Sequence, residues 1–342
     1  MRRPSDRNLW VAAGIAAVAA WMLRARRRRS LHGKLALVTG GSRGLGLEIA
    51  AELAHRGAAV VICARDSAEL DRAASMLATR GHDIHTRVCD VRARDAVANM
   101  VADIDRELGP VDVLVNNAGI LHVGPATAMT SDDLHAAMAT NFWGAVHAAE
   151  AVLPAMLVRH AGQIVNIASI GGIAPIPWML PYSASKAALL GWSQGLHHDL
   201  AREGIAVTTV APWLMRTGGP INGTYKGSAK KATFTAFALA DVTPLLAVDP
   251  RAAARTIVRG LLRRRAMVFV GLQSRLVALV NGLAPGAMST VLSWIASALP
   301  RSFTRTAAQG RELAAELGRP WRAVAERSRG HNNQPEIRPL TA

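Results

Sequence analysis

Cysteine, tyrosine and lysine are scarce in this 342-residue chain, and each scarcity narrows what it can be. Two cysteines, Cys63 and Cys89, cannot build a disulfide framework, which points to a reducing compartment. Aromatic residues amount to 4%, with 2 Tyr and 5 Phe. Long apolar runs are absent as well. The longest, 9–23, makes about 22 Å of helix against a hydrocarbon core of roughly 30 Å. Acidic residues are outnumbered 24 to 40 by Lys and Arg, a net charge of +16 that would suit nucleic acid if it lay on a folded core. It does not lie there. Residues 1–29 hold +7, residues 251–342 hold +11, and the stretch between them holds −2. Nucleic acid is therefore not an expected partner, and the basic ends suit a membrane surface.

The run at 9–23 (LWVAAGIAAVAAWML) has Trp10 and Trp21 near its ends, three arginines before it and a block at 24 and 26–29 after it. A secretory signal would end in small residues at a cleavage site, not in arginine. Arginine stems can snorkel and tryptophans favour the interface, so 9–23 is expected to attach the chain to a membrane, spanning it or lying on it. The heavier basic flank follows the run, which places the main domain on the cytoplasmic side.

Beyond Gly33 the chain alternates. Apolar β-type runs fall at 35–39, 58–63, 84–89, 111–115, 164–167, 205–210 and 267–270. Helix-period segments fall between them at 45–56, 68–80, 94–108, 132–158, 182–202 and 250–264. This is the pattern of an α/β fold, a doubly wound parallel sheet of Rossmann type with helices on both faces. There is no internal repeat. The expected division is an anchor and basic linker at 1–30, the α/β domain at 31–271, an apolar helical extension at 272–312 and a polar, Arg-rich tail at 313–342. The extension is expected to be a membrane or substrate flap, or simply to pack on the core.

Thr39-Gly40-Gly41-Ser42-Arg43-Gly44-Leu45-Gly46 links the first strand to the first helix. Glycines allow close backbone approach to a pyrophosphate, and the helix N-terminus supplies free N–H groups. At the end of the second strand an acidic residue suits a bare ribose 2′-OH, whereas Arg suits a 2′-phosphate. The sequence there is Cys63-Ala64-Arg65-Asp66. Arg65 and Arg43 are expected to clasp a phosphate, making NADP(H) the cofactor. Asp66 is read as the N-cap of the next helix, with Glu69 completing a capping box.

Tyr182-Ser183-Ala184-Ser185-Lys186 puts a phenol and an ammonium on one helical face. With 2 Tyr and 5 Lys in the chain, a chance YxxxK has an expectation of about 0.03. A cation near a phenol is worth up to roughly 4 kcal/mol, enough to lower its pKa from about 10 toward neutrality. His197, His198 and Asp199 are adjacent helical positions that do not converge on one ion, so no metal site is expected. Lys226, Lys230 and Lys231 read as solvated loop residues.

These patterns together resemble the short-chain dehydrogenase/reductase family, from about Gly33 to Gly271. The glycine turn resembles its cofactor loop, contributing Gly40, Ser42, Arg43, Gly44, Leu45 and Gly46. Asp90 and Val91 resemble the element at the adenine, and Asn116-Asn117-Ala118-Gly119 the motif that steadies the central strand. Asn141, Ser169, Tyr182 and Lys186 match its Asn–Ser–Tyr–Lys tetrad, with Ser169 thirteen residues before Tyr182. The resemblance implies that Tyr182 is the general acid–base and that Lys186 lowers its pKa and holds the nicotinamide ribose. It further implies that Ser169 binds the substrate oxygen and Asn141 a relay water. Pro212 and Thr217 match the segment at the nicotinamide, but Trp213 stands where the family has Gly, which puts in doubt how the carboxamide is held.

The segment between the last two strands is greasy, with Trp213, Leu214, Met215, Phe234, Phe237, Leu239, Leu245 and Leu246, and 178–180 adds a second apolar rim. The expectation is a membrane-attached, NADP(H)-dependent oxidoreductase interconverting carbonyl and alcohol on a lipophilic substrate of steroid, retinoid or keto-lipid type. Its rivals are an NAD-dependent dehydrogenase of a soluble alcohol and a non-catalytic dinucleotide sensor on a membrane. Arg65 and the apolar rim weigh against the first, and the complete tetrad against the second. A homo-oligomer is left open.

Overall fold

The computed structural model describes residues 30–243, 246–299, 304–316 and 333. The segment 9–23 and most of the tail lie outside the described residues. Seven parallel strands form one sheet: β1 (Leu35–Thr39), β2 (Ala59–Ala64), β3 (His85–Val88), β4 (Val113–Asn116), β6 (Gly162–Ile167), β7 (Ile205–Pro212) and β9 (Met267–Val270), in the order β3-β2-β1-β4-β6-β7-β9. All seven fall where the apolar runs place them.

In the central strands the runs are nearly continuous because both faces are covered, whereas the edge strand β3 is half-exposed. Along β1, Ala36 and Val38 enter one apolar core while Leu35 and Leu37 enter the other. In β2, Val60 and Ile62 face the first and Val61 and Cys63 the second. The first core is closed by α1 (Gly44–His55), α2 (Ser67–Ala78) and α8 (Pro250–Leu262). The second is closed by α3 (Arg94–Leu108), α5 (Gly144–Val158) and α6 (Leu180–Asp199). Each fully buried Leu or Ile in these layers contributes about 1.5–3 kcal/mol. Cys63 and Cys89 are both buried and free, as small core residues.

Three departures from the sequence pattern matter for the site. The single helix expected over 132–158 is instead α4 (Ser131–Met138), a π turn over Ala139–Trp143, and then α5. A π turn carries one residue more than an α turn, and such turns gather at functional positions. Asn141 lies on it and is 1% exposed.

Secondly, a small second sheet, β10-β8-β5, forms from β5 (His122–Val123), β8 (Thr224–Lys226) and β10 (Ala307–Gln309). It corrects the reading of Lys226 as solvated: Lys226 Nζ is 2.6 Å from Asp133 Oδ2, and both side chains are largely buried. Lys230 and Lys231 begin a helix that the sequence reading left as loop, α7 (Lys230–Val242).

Thirdly, the extension forms α9 (Leu272–Leu283), α10 (Pro285–Ser297) and, after β10, α11 (Gly310–Glu316). The expected boundary at 312/313 cuts through α11, whose Leu313 and Ala314 are buried against Val123, Ile221 and Phe234. That helix belongs to the folded body because its apolar face has a core to enter.

Candidate functional site

Strand order reverses between β1 and β4, and the residues singled out from sequence gather beyond the carboxyl ends of these strands. β1 turns through Gly40 into α1. Gly40 has φ 62°, and a Cβ there would sit 2.8 Å from Ala118 Cα. A Cβ on Gly46 would lie 2.2 Å from the Gly40 carbonyl oxygen and 2.5 Å from Asn117 Nδ2. The glycines are thus required by backbone-to-backbone packing. Arg43 caps α1 with extended backbone, and its side chain makes no hydrogen bond to the first turn. The first N–H groups of α1, including those of Leu45 and Gly46, therefore face outward with the positive end of the helix dipole. A pyrophosphate fits this cradle.

At the tip of β2 the side chains sort differently from the sequence expectation. Asp66 does cap α2, its Oδ1 accepting from the Glu69 N–H at 3.0 Å. The Glu69 carboxylate does not complete the box. It accepts instead from Ser42 Oγ at 3.1 Å and Arg43 at 2.6 Å, because a buried carboxylate gains more from a guanidinium than from a helix-start amide. Arg43 is thus held by Glu69, while Arg65 is exposed. Burial pulls the Arg43 guanidinium below its ordinary pKa, Glu69 opposes this, and Arg311 and Arg65 add to the lowering. Three guanidinium groups thus bear on one place.

Asp90 is chelated by Arg92, whose hydrogen bonds hold its carboxyl below the ordinary range. Val91 is buried, and its carbonyl meets His147 Nδ1 at 3.0 Å. Two contributors escaped the sequence reading, Arg311 and Asn333. Asn333 is buried and donates to the carbonyls of Ser42 and Glu69 at 2.7 and 2.9 Å. Nothing local in sequence links residue 333 to residue 42.

The four tetrad positions converge. Ser169 begins a short 3-10 turn, its Oγ accepting from the Gly171 N–H at 3.0 Å, and its hydroxyl bears on the Tyr182 phenol, favouring the ionised form. Lys186 is 4% exposed, donates to the Ile167 carbonyl at 2.7 Å, and lies 5.9 Å from the centre of the Tyr182 ring. Asn141 Nδ2 donates to Ser185 Oγ at 2.9 Å and to the Ile120 carbonyl at 3.1 Å, while its Oδ1 accepts from the Ile120 N–H at 2.7 Å. Its side chain is therefore fastened to the backbone that follows Gly119.

One expectation is reversed here. Burial holds the Tyr182 phenol above its ordinary pKa, with the Ser169 hydroxyl opposing. The ammonium of Lys186 is aimed at a carbonyl rather than at the phenol oxygen.

Pro212 closes β7, and Thr217 Oγ1 accepts from the Gly219 N–H at 3.3 Å. The Trp213 indole N–H donates to the Leu246 carbonyl at 2.9 Å. The greasy segment divides. Phe234 is fully buried in a third apolar cluster against which Tyr182 and Phe237 pack. Leu180, Leu239 and Leu246 remain exposed at the rim. Leu245 lies outside the described residues.

Residues 34–222 match the short chain dehydrogenase family. The chain is 39% identical over 188 residues to gluconate 5-dehydrogenase of Gluconobacter oxydans, covering 55% of this chain and 73% of that protein. It is 29% identical to mouse 17-beta-hydroxysteroid dehydrogenase 13, covering 72% of this chain and 76% of the relative. An actinorhodin polyketide ketoreductase variant solved with NADPH superimposes with a TM-score of 0.61 at 31% identity, covering 72% of this chain and 96% of that one. The chain belongs to the short-chain dehydrogenase family of oxidoreductases.

Lys186 sets a pH dependence. Burial pulls its pKa from 10.5 down to about 8. Between those values the unfolded chain holds the lysine proton and the folded chain does not, so this group's penalty on stability shrinks as pH rises. Lys186→Met removes the penalty. Its stability relative to the parent should fall by about 2 kcal/mol between pH values of about 7.5 and 9.5. Urea unfolding of both proteins at the two pH values measures this, and a constant difference would mean the ammonium is hydrated.

Proposed function

We propose that this protein is an NADP(H)-dependent oxidoreductase that interconverts a carbonyl and an alcohol on a lipophilic substrate of steroid, retinoid or keto-lipid type, while attached to a membrane through 9–23 with its catalytic domain on the cytoplasmic side. The observation that carries the reaction class is the convergence of Tyr182, Ser169 and Asn141 on a buried Lys186, which donates to the Ile167 carbonyl at 2.7 Å and lies 5.9 Å from the centre of the Tyr182 ring. A nicotinamide cofactor, when bound in the glycine cradle, would supply or accept the hydride. Ser169 orients the substrate oxygen, and Tyr182, kept protonated by burial, gives its proton to that oxygen as negative charge develops during reduction. Lys186 places a positive charge beside the phenol after the proton leaves. Asn141 fixes the backbone at Ile120, across from Lys186, where a relay water is expected.

A 2′-phosphate is supported by the carboxylates at the β2 tip, each of which, among the described residues, is already engaged. Asp66 is spent on capping α2 and Glu69 on Arg43, leaving exposed Arg65 beside Arg43. The NADPH bound by the ketoreductase relative agrees with this reading. A lipophilic substrate is supported by the exposed leucines at the rim and by the relationship to a hydroxysteroid dehydrogenase.

Replacing Tyr182→Phe should lower turnover by about 10² or more while NADPH still binds, as followed by its fluorescence. Near-normal turnover would remove Tyr182 from proton transfer. Arg65→Asp should shift the ratio of NADPH to NADH affinity toward NADH by on the order of tenfold or more, because a carboxylate then meets the 2′-phosphate. An unchanged ratio, measured by titration with each cofactor, would move phosphate recognition to Arg43. Deleting residues 1–30 removes none of the described strands or helices. The truncated protein should leave the membrane fraction while keeping turnover of a short soluble carbonyl. A full-length protein found wholly in the supernatant would overturn the anchor.

A further inference from the structure

Helices are expected to turn their apolar stripe inward, and α9 and α10 do the opposite. On α9, Leu272, Leu276, Leu279, Val280 and Leu283 recur at helical spacing and are 44–78% exposed. On α10, Val291, Trp294 and Ile295 repeat the pattern, with Trp294 69% exposed. The two helices meet at a bend of 120°, and neither is long and apolar enough to cross a membrane. At 12 and 13 residues each reaches about 18–20 Å, short of a hydrocarbon core of roughly 30 Å.

We infer that the α9–α10 hairpin docks in the surface of an anionic lipid layer, its apolar faces sunk among the acyl chains. The choice of a lipid surface follows from charge. Between Asp249 and Glu312 the sequence contains ten arginines and no acidic residue. Arg275 lies exposed on α9 itself, and a second copy of this chain would set positive charge against positive charge, whereas anionic headgroups complement it. The sequences at 1–29 and 317–342 carry net positive charge as well. An exposed Trp beside aliphatic side chains is the composition of an interfacial helix, and patches of this size are rarely left bare in water.

The hairpin is tied to the site. Ser274 Oγ donates to the Ala211 carbonyl at 2.6 Å at the end of β7, and Asn281 Nδ2 to the Ile173 carbonyl at 3.2 Å, just past the turn that begins at Ser169. Docking therefore brings the rim beside Tyr182 to the lipid. In its partner this inference rests on the membrane-attached reading above, but it concerns a different part of the chain.

The test uses the full-length protein carrying Leu283→Cys at the bend, labelled with nitrobenzoxadiazole. Cys63 and Cys89 are buried and stay unlabelled in the native protein. Vesicles of phosphatidylcholine with phosphatidylglycerol should raise the label's emission by about twofold or more, and phosphatidylcholine alone by less, with high salt weakening the response. A label at Val158→Cys, an exposed position where α5 leads into the amino end of β6, at the other end of the strands from the hairpin, should not respond. Flotation of the same samples separates the two readings. A protein that floats with a silent label at 283 overturns the hairpin and leaves 9–23 as the attachment. A label that brightens with protein concentration in the absence of lipid shows a second copy and also overturns it. As an independent variant, Leu276→Ser with Leu279→Ser and Trp294→Ser changes exposed positions alone. It should keep turnover of a soluble carbonyl while losing most of the salt-sensitive binding to anionic vesicles that remains after deletion of 1–30. Undiminished binding would overturn the proposal.

Discussion

The placement of Asn117 against the glycine turn is the constraint on which the rest of the site depends. Its Nδ2 donates to the carbonyls of Thr39 and Gly40 at 3.1 and 2.9 Å, and the N–H groups of Asn117 and Ala118 both reach Thr39 Oγ1. Beyond this point the chain leaving β1 and the chain leaving β4 go to opposite faces of the sheet. These bonds hold the two departures at a fixed separation. Because Asn117 Nδ2 fills the space beside Gly46, a methyl group there has nowhere to go. The cradle and the catalytic end are thereby set by one side chain. From Ala118 the backbone passes Gly119 to Ile120, whose two amide groups hold Asn141.

Behind that contact runs a buried polar chain that fixes the sheet itself. Asn116 donates to Asn166 at 2.8 Å, Asn166 to Ser193 at 2.9 Å, and Ser193 meets Thr209 at 2.7 Å. It links β4, β6, α6 and β7. Polar groups in an apolar layer are costly unless paired, and a shift of one residue in any strand would unpair them. Helix α6 carries Tyr182 and Lys186 as well as Ser193, so the chain that fixes the register of the sheet also fixes the depth of the catalytic pair.

Much of this was legible from the residues. A strand covered on both faces is apolar at most positions, which is why the central strands stood out as short apolar runs, whereas β3, half-exposed at the edge, is His-Thr-Arg-Val and was marked by its place in the alternation. Tyr182, Lys186 and the glycine turn declared themselves through local spacing, since a helix turn or a tight loop is a local object. Non-local competition stayed hidden. The role of Glu69 was decided by Arg43 and Ser42, which arrive from the glycine loop rather than from its own helix. The π turn at Asn141 leaves no mark on apolar periodicity, because one extra residue shifts the pattern by less than a turn. Strands of two or three residues such as β5 and β8 are too short to show alternation, and so Lys226 looked like a loop residue.

The C-terminal extension gains its meaning from where its pieces land. It leaves the sheet at β9, on the edge far from β2, and is pinned by Ser274 to β7. After the hairpin it returns as β10 on the small sheet, and α11 follows, with Leu313 in the cluster that packs on Tyr182. The next residue placed by the structure, Asn333, reaches the opposite side of the crevice, bonding the carbonyls of Ser42 and Glu69. One segment therefore touches the substrate rim, the wall behind the phenol and the turn that cradles the cofactor. Arg311 strengthens the link, since its charge bears on Arg43 from α11. A force applied at the hairpin has a continuous path of packed and hydrogen-bonded groups to the catalytic wall. The bonds that Asn333 makes to the Ser42 and Glu69 carbonyls are themselves part of the cradle.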